Sequence, residues 1–197
     1  MTRGRPLAFS PDEAAHAAMQ VFWASGYDNA STRDLLDAMQ ISRSSLYQAF
    51  GNKEQLFLES LRRYREALIG RLERRLASAP SALAFLERLF LDTAGEAGSD
   101  RAALGCLIFN SAGELGQRDA ATARAARDGV AAITGLFRRA VERAKAEGDI
   151  APACDSHALA HYLTLSMAGL RTLLKTGTDR QAAQSAARLV IDTLRSN

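Results

Sequence analysis

Signals for the start of an α-helix recur along the whole chain, and no segment between them alternates polar and apolar residues as a half-buried strand does. Ser10 stands before Pro11 and three residues ahead of Glu13, a capping box with proline at the first helical position. Further N-caps are expected at Ser31, Ser42 and Asn52. These signals predict an all-α fold of about nine helices. The first predicted helix extends from Ser10 to Gly26, and two short helices lie within 31–50. Six further helices are predicted at about 53–77, 81–97, 102–115, 120–147, 156–176 and 178–195.

The composition excludes several classes of protein. No apolar run approaches the roughly 20 residues that cross a membrane, and the first residues lack the apolar segment of a secretory signal. We therefore expect a cytoplasmic protein with no membrane partner. Cys106 and Cys154 are too few for a disulfide framework and lack the spacing of a zinc site. No glycine-rich phosphate loop, GxSxG or HExxH motif is present, so we expect no enzyme, no cofactor and no metal.

The predicted helices divide into a small N-terminal unit and a larger body. Three helices of about 50 residues in all bury only a marginal core. The long helix that begins at Lys53 extends far enough to complete that core and to connect it with the body. The sequence therefore predicts one domain over 1–53 and a second over 54–197.

Residues 31–50 have the pattern of a helix-turn-helix. Its apolar side chains are spaced to pack the two short helices against each other and onto the first helix; they are Leu35, Met39, Ile41, Leu46 and Phe50. The second short helix then directs polar side chains outward, namely Arg43, Ser44, Ser45, Tyr47 and Gln48. A guanidinium, hydroxyls, a phenol and an amide suit base edges and phosphates. The pattern predicts binding to double-stranded DNA.

Net charge gives weak support for DNA, because it is only +3 over the chain. The argument depends on where the charges lie, and the outward positions of the second short helix contain no acid. Arg33 and Lys53 stand at helix starts, where free N–H groups also favour phosphate. Arg3 and Arg5 belong to an N-terminal arm that either reaches an adjacent groove or stays solvated. A helical module that binds a partner other than DNA is the alternative, but it leaves the acid-free surface unexplained.

The run GYDNASTRDLL and the later ISRSSLYQAFGNKEQLF, within residues 26–57, resemble the TetR (tetracycline-repressor) family of transcription regulators. The matching positions are Gly26-Tyr27, Ser31-Thr32, Leu46-Tyr47, Phe50 and Asn52-Lys53-Glu54. Gln40 stands where the family often has a turn glycine, so we expect it in a left-handed conformation. Leu36 replaces a small alanine, which is expected to alter how the two helices cross.

The resemblance implies a repressor that binds a palindromic operator as a homodimer and is released by a small-molecule inducer. It implies phosphate contacts from Thr32, Tyr47 and Lys53. It places Arg33, Arg43 and Ser44 near base edges. It also implies a four-helix dimer interface made by the last two helices, and an inducer pocket among the fourth to seventh helices.

The segment GCLIFNSAGELG at 105–116 is the candidate ligand site. At helical spacing Cys106, Asn110 and Glu114 form one stripe, and Leu107 and Phe137 add apolar surface for a mostly apolar inducer. Within the family this segment is similar to that of regulators that respond to electrophiles. Cys106 is therefore either a reactive thiol near a helix start or a small buried side chain.

The helix at 156–176 is apolar nearly all round, which predicts burial on more than one side. We expect its second side to be a dimer interface formed by Leu163, Met167 and Leu170, with Val190 from the last helix. A close approach at Gly169 is part of this expectation. The alternative is a central helix of a single chain's core. His157 and His161 have metal-ligand spacing but no evident third ligand beyond Asp155, so they favour packing over metal binding.

Overall fold

The computed structural model describes residues 9–115 and 120–195, and these residues form ten helices and no strand. The helices are α1 (Pro11–Asn29), α2 (Thr32–Met39), α3 (Arg43–Phe50), α4 (Lys53–Ser78), α5 (Ala82–Gly95), α6 (Asp100–Leu104), α7 (Leu107–Leu115), α8 (Ala120–Glu147), α9 (Ser156–Lys175) and α10 (Arg180–Arg195). The predicted all-α fold is confirmed. No helix among the described residues is long and apolar enough to cross a membrane.

The N-terminal helices start at the residues that the sequence predicts. Side chains of Ser10, Ser31, Ser42 and Asn52 each accept a hydrogen bond from the backbone N–H three residues on. Ser31 and Asp34 form a complete capping box. Gln40 ends α2 in the left-handed conformation at φ 53° and ψ 41°, as predicted from its place in the turn. Local signals therefore determine the helix-turn-helix geometry.

Two predicted helices differ from the observed ones because of glycine. Gly26 was expected to end α1, but the helix resumes after a break at φ 78° and ψ 175° and continues to Asn29. The predicted helix over 102–115 is divided by Gly105, at φ 66°, into α6 and α7. Both glycines adopt positive φ, which side chains other than glycine rarely tolerate. The short α6 accounts for the difference between the nine helices expected and the ten observed.

The first turns of α4 complete the core of the N-terminal unit, as the sequence indicates. The ring of Phe57 packs at 5.1 Å from that of Phe22 and at 5.0 Å from that of Tyr27, edge to face in each case. Arg63 on α4 also pairs with Asp12 on α1 at 2.7 Å. Farther along, α4 packs against α8, so one helix contacts both parts of the chain.

The body is a bundle of α4, α5 and α7 to α10, in which α8 packs on α4 and α9 and α5 packs on α10. Its core contains fully buried side chains such as Phe90, Leu136 and Phe137. This core is continuous with that of the N-terminal unit. Motion of a body helix is therefore mechanically connected to the helix-turn-helix through packed side chains.

Candidate DNA-binding surface and ligand cavity

The α3 helix exposes the polar face that the sequence predicts. Arg43, Ser44, Tyr47 and Gln48 are all exposed, at positions i, i+1, i+4 and i+5 that share one side of a helix. Leu46, on the opposite side, is buried in the core. Tyr47 is 52% exposed, which is unusual for a large ring and leaves its hydroxyl free to contact a partner. The face contains no acid.

Three serines cluster at the N-terminus of α3. The Oγ atom of Ser42 lies 2.8 Å from that of Ser44 and 2.9 Å from that of Ser45. Ser44 is exposed, whereas Ser45 is half-buried. Ser44 is therefore better placed than Ser45 to meet a partner, and its hydroxyl is already oriented by the cap.

The remaining predicted DNA-contact residues flank this face at helix starts. Thr32 is half-buried in the first turn of α2. Arg33 is almost fully exposed and lies 3.7 Å from Asp37, a pair that water screens strongly and that leaves the guanidinium available. Lys53, in the first turn of α4, places its Nζ atom 4.5 Å from the ring centroid of Tyr27. This cation–π contact fixes where the ammonium stands. The predicted arm with Arg3 and Arg5 lies outside the described residues.

A cavity of about 250 Å³ lies in the body, enclosed by α4, α5, α8 and α9 and by the segment around Cys106. Its apolar wall includes Leu89, Phe109, Ile133, Phe137 and Met167, and its polar wall includes Arg71, Arg75, Asp92, Glu96, Arg101 and Arg171. The predicted site residues Cys106 and Phe137 are both in this wall. The sequence did not indicate the four arginines, because they come from three helices that are far apart in the chain, α4, α6 and α9.

Cys106 is buried with 5% of its surface exposed, and its Sγ atom lies 3.7 Å from the hydroxyl of Tyr64. Burial is the main cause that raises the pKa of Tyr64 well above its usual value, and the adjacent Cys106 adds to the effect. Tyr64 therefore stays neutral, and its hydroxyl donates to the Sγ atom of Cys106 in the cavity wall.

The predicted stripe of Cys106, Asn110 and Glu114 does not form one site, and this prediction is wrong. Gly105 breaks the chain before Cys106, whose carbonyl accepts the N–H of Asn110 at 2.9 Å, so Cys106 lies at the very start of α7 and its side chain lines the body cavity. Asn110 instead donates to the carbonyl of Leu104 at 2.9 Å. Together with Leu107 and Glu114, it lines a separate cleft against α1.

Glu114 joins the body to the N-terminal unit. Its carboxylate accepts hydrogen bonds from the backbone N–H of Tyr27 at 3.2 Å and of Asp28 at 3.0 Å, directly after the break at Gly26. A Cβ atom on residue 26 would lie only 2.9 Å from this carboxylate, so the contact requires glycine. Glu114 caps the resumed part of α1 and has a structural role that the sequence did not indicate.

A second contact between the two parts of the chain comes from Arg101 in α6. Its guanidinium carbon lies 4.5 Å from the ring centroid of Trp23 in α1. Trp23 is buried, and its Nε1–H group has no hydrogen-bond partner. Because Arg101 also lines the body cavity, one side chain contacts both the cavity and the helix that supports the helix-turn-helix.

The predicted dimer-interface residues on α9 point into the core of their own chain. Leu163, Met167 and Leu170 are buried within the chain itself, at 0%, 6% and 7% exposure, so they have no surface to offer a second copy. Val190 on α10 is half-buried against the same core. Leu163, Met167 and Leu170 therefore belong to the core of one chain, which corrects their prediction as interface residues, whereas the partly buried Val190 stays a prediction.

The exposed apolar surface of α9 and α10 is formed by different residues. Leu165, Leu173 and Leu189 are 72%, 53% and 68% exposed, and with Tyr47 they are the large hydrophobic side chains exposed among residues 9–115 and 120–195. The hydroxyl of Tyr162 donates to Thr193 at 3.4 Å, which pairs the two helices antiparallel. Gly169 has no neighbour within 4 Å of a Cβ position. We call this surface, formed by Leu165, Gly169, Leu173 and Leu189, the outer face.

His157 and His161 lie side by side on the adjoining surface of α9, with ring centroids 4.5 Å apart and the rings tilted by 60°. Within the part of the chain that the structure describes, no three histidine, cysteine or acidic side chains are grouped so that they could hold a metal ion. The pair lines a groove between α8 and α9 together with Arg127 and Arg138.

A helix-turn-helix with an exposed polar face, attached through one long helix to a helical body with its own cavity, defines a DNA-binding transcription regulator. Residues 15–60 match the profile described as bacterial regulatory proteins, tetR family, and residues 82–190 match that of the tetracyclin repressor-like C-terminal domain. The chain belongs to the TetR family. The family consists of regulators and not of enzymes.

Relatives match nearly the whole chain. It is 30% identical over 182 residues to the HTH-type transcriptional regulator YezE of Bacillus subtilis strain 168, covering 92% of this chain and 94% of YezE. It is 30% identical to the HTH-type transcriptional repressor ComR of Escherichia coli K12, covering 94% and 89%. A cysteine-substituted form of the regulator CifR, solved with 26-base-pair operator DNA, superimposes with a TM-score of 0.81 at 32% identity, covering 97% of this chain and 100% of CifR.

Proposed function

We propose that the protein is a repressor that binds a palindromic operator as a homodimer and releases it when a small molecule occupies the body cavity. The observation that carries the proposal is the acid-free, exposed face of α3 on a helix-turn-helix that the body holds through α4. The repressor name of ComR and the operator complex of CifR support the same function.

On the DNA, two kinds of contact are proposed. Arg43 and Ser44 project from the first turn of α3, the end of a recognition helix that approaches base edges. Thr32, Tyr47 and Lys53 stand around that end and are assigned to phosphates. Arg33 and Gln48 extend the base-contacting side, and Ser45 supports the cap of α3. Phosphate contacts give affinity, whereas base contacts give sequence preference.

The outer face is the proposed dimer interface. Leu165 and Leu173 are separated by eight positions on one side of α9, and Gly169 between them leaves room for a close helix approach. Two copies related by a twofold axis would bury these leucines against each other and form a four-helix bundle from α9 and α10. Exposed leucines of this size on a lone chain favour such burial.

Release is proposed to act through α4 and its contacts. A ligand weakens DNA binding only by the difference between its affinities for the two states of the protein. A coupling of about 1–3 kcal/mol corresponds to a roughly 5–150-fold loss of operator affinity. The α4 helix reaches from Lys53 beside the DNA surface to Tyr64 and Leu72 at the cavity, so a shift at the cavity changes the spacing of the two α3 helices.

The test is to incubate the purified protein with fragments of genomic DNA and to sequence those that are bound. We expect one palindromic motif whose half-sites lie about one helical turn, roughly 34 Å, apart. A symmetric footprint and two chains per palindrome in sedimentation should accompany it. An asymmetric motif bound by a monomer at micromolar concentration would contradict the proposal.

A second candidate function is sensing of electrophiles through Cys106, favoured by the position of its Sγ atom in the cavity wall beside Tyr64. The alkylated thiol would fill the cavity as a non-covalent ligand does. Operator binding before and after N-ethylmaleimide should be measured in the wild type, Cys106→Ser and Cys154→Ser. Release of the operator in the wild type and Cys154→Ser, but not in Cys106→Ser, supports sensing by Cys106. The same response in all three proteins would mean that Cys106 is only a packed side chain of the core.

A further inference from the structure

The polar wall of the body cavity has an excess of positive charge. It contains Arg71, Arg75, Arg101 and Arg171 against Asp92 and Glu96, so four positive charges face two negative ones and the balance is +2. Only Arg171 among the four is largely buried, at 15% side-chain exposure, whereas Arg71 is exposed and Arg75 and Arg101 are each 36% exposed, so these guanidinium groups line the mouth of the cavity in contact with water. The excess charge indicates what kind of molecule the cavity accepts.

Two of the four arginines are already neutralised. Arg171, with 15% of its side chain exposed, forms a close ion pair with Glu96. Arg75 pairs with Asp92 at 2.7 Å. These two pairs leave Arg71 and Arg101 as the sources of the excess charge.

Arg71 and Arg101 lie where two cavities meet. A second space of about 370 Å³ between α1 and α4 shares Tyr64, Leu68, Arg71 and Arg101 with the first. Within the described part of the chain Arg71 forms no ion pair, and Arg101 approaches Glu96 only at 4.0 Å. Trp23 lines this second space, and its buried Nε1–H lacks an acceptor. Arg71 and Arg101 thus line both spaces, and their positive charge at the junction suits an anionic ligand.

We infer that the ligand of the body cavity is a small organic acid. Its apolar part lies against Ile133, Phe137 and Met167, and its carboxylate lies between Arg71 and Arg101. The inference rests on the proposed ligand response and names the chemical class of the ligand. Arginine pairs with carboxylates in a bidentate manner, which gives both affinity and orientation. The volume of 250 Å³ is below the range of about 300–1,000 Å³ for drug-sized ligands, so the acid is small.

The same geometry gives the acid a way to affect α1. Arg101 at present lies over the ring of Trp23. A carboxylate between Arg71 and Arg101 competes with that ring for the guanidinium, and a charged partner attracts it more strongly than an aromatic face does. Binding therefore weakens a contact between the body and the helix that supports the helix-turn-helix.

The experiment uses the purified full chain and three matched series of straight-chain compounds, namely the carboxylates from hexanoate to decanoate, the corresponding alcohols and the corresponding amines. Binding is measured by calorimetry, and the fluorescence of Trp23, the single tryptophan of the chain, gives a second signal. We expect the best acid to bind at least about tenfold more tightly than its alcohol, with the amine weakest, as a charge-assisted hydrogen bond to arginine provides.

The variants locate the carboxylate. Arg71→Gln and Arg101→Gln should each lower the affinity for the acid about tenfold and leave that of the alcohol unchanged. Arg74→Gln, on the same helix as Arg71 but outside the cavity wall, is the matched control and should change neither. Acids that bind no better than alcohols or amines, or that do not bind at all, overturn the inference, as does an equal loss in Arg74→Gln.

Operator binding separates this inference from the proposed function. If the acids bind at Arg71 and Arg101 but leave the operator complex intact, the ligand class is correct and the proposed release is wrong. If neutral compounds or electrophiles release the operator and the acids do not bind, the proposed release is correct and the inference that the ligand is an organic acid is wrong.

Discussion

Glu114 offers a direct way to perturb the connection between the body and the N-terminal unit. Its carboxylate accepts two backbone N–H groups that follow the break at Gly26. A hydrogen bond contributes a net of about 0.5–1.5 kcal/mol, and more when one partner is charged. Because Glu114 is exposed to water, we take the lower part of that range for each bond. Glu114→Ala should then lower the free energy of unfolding by about 1–2 kcal/mol, which is also the cost of losing a typical helix cap.

In a domain of this size, about 1 kcal/mol shifts the melting temperature by roughly 2–4 °C. Calorimetry at equal protein concentrations should therefore give a melting temperature about 2–8 °C lower for Glu114→Ala. Glu114→Gln, which keeps an acceptor oxygen without the charge, should lie between. Glu142→Ala, at an exposed glutamate on α8, is the control.

Hydrogen exchange gives the residue-specific readout. The amides of Tyr27 and Asp28 should exchange faster in Glu114→Ala, because they lose their acceptor. Unchanged exchange at these two amides, with a melting temperature equal to that of Glu142→Ala, would refute the assignment of Glu114 as a cap between the two parts of the chain.

Three further outcomes are expected. Lys53→Ala should weaken binding to all DNA sequences alike and reduce the slope of log affinity against log salt concentration by about one unit. Fluorescence anisotropy over a salt series measures this slope, and an unchanged slope would show that Lys53 does not contact a phosphate. Leu165→Glu should give a folded monomer in sedimentation, because it places a charge in the outer face, whereas Ala77→Glu, at an exposed position on α4, should leave the dimer intact. A Leu165→Glu dimer as tight as the wild type would mean that the interface lies elsewhere. Gln40→Gly should raise the free energy of unfolding by about 0.5–1 kcal/mol in chemical denaturation, since glycine adopts φ 53° without strain; a decrease would mean that the bond from the Gln40 amide to Asp37 outweighs the strain.

The local features of the fold could be predicted well from the sequence. Each N-cap serine or asparagine acts within three residues, so Ser31 and Ser42 determine the helix starts irrespective of what packs on them. The left-handed Gln40 was predictable from the family resemblance, because Gln40 stands where the family often has a turn glycine. The outward face of α3 followed from its clear periodicity.

The long-range features could not be predicted. The α9 helix is apolar on nearly every side, so its periodicity does not distinguish the stripe that faces its own core from the one left exposed. Leu163 and Leu165 differ by only two positions, yet one is fully buried and the other is 72% exposed. The contacts of Glu114 with Tyr27 and of Arg101 with Trp23 join segments more than 70 positions apart. No local sequence pattern in either segment indicates these contacts, so they could not be predicted.

The central claim is that α3 reads base pairs in a symmetric dimer complex, and Arg43 tests it most directly. The affinities of the wild type and Arg43→Ala should be measured on the selected operator and on every single-base-pair variant of it. The account predicts that Arg43→Ala loses preference at one or two base pairs, placed symmetrically in both half-sites, at a cost of about 1–3 kcal/mol for each base contact. An equal loss of affinity for all variants, or a change confined to one half-site, would contradict it.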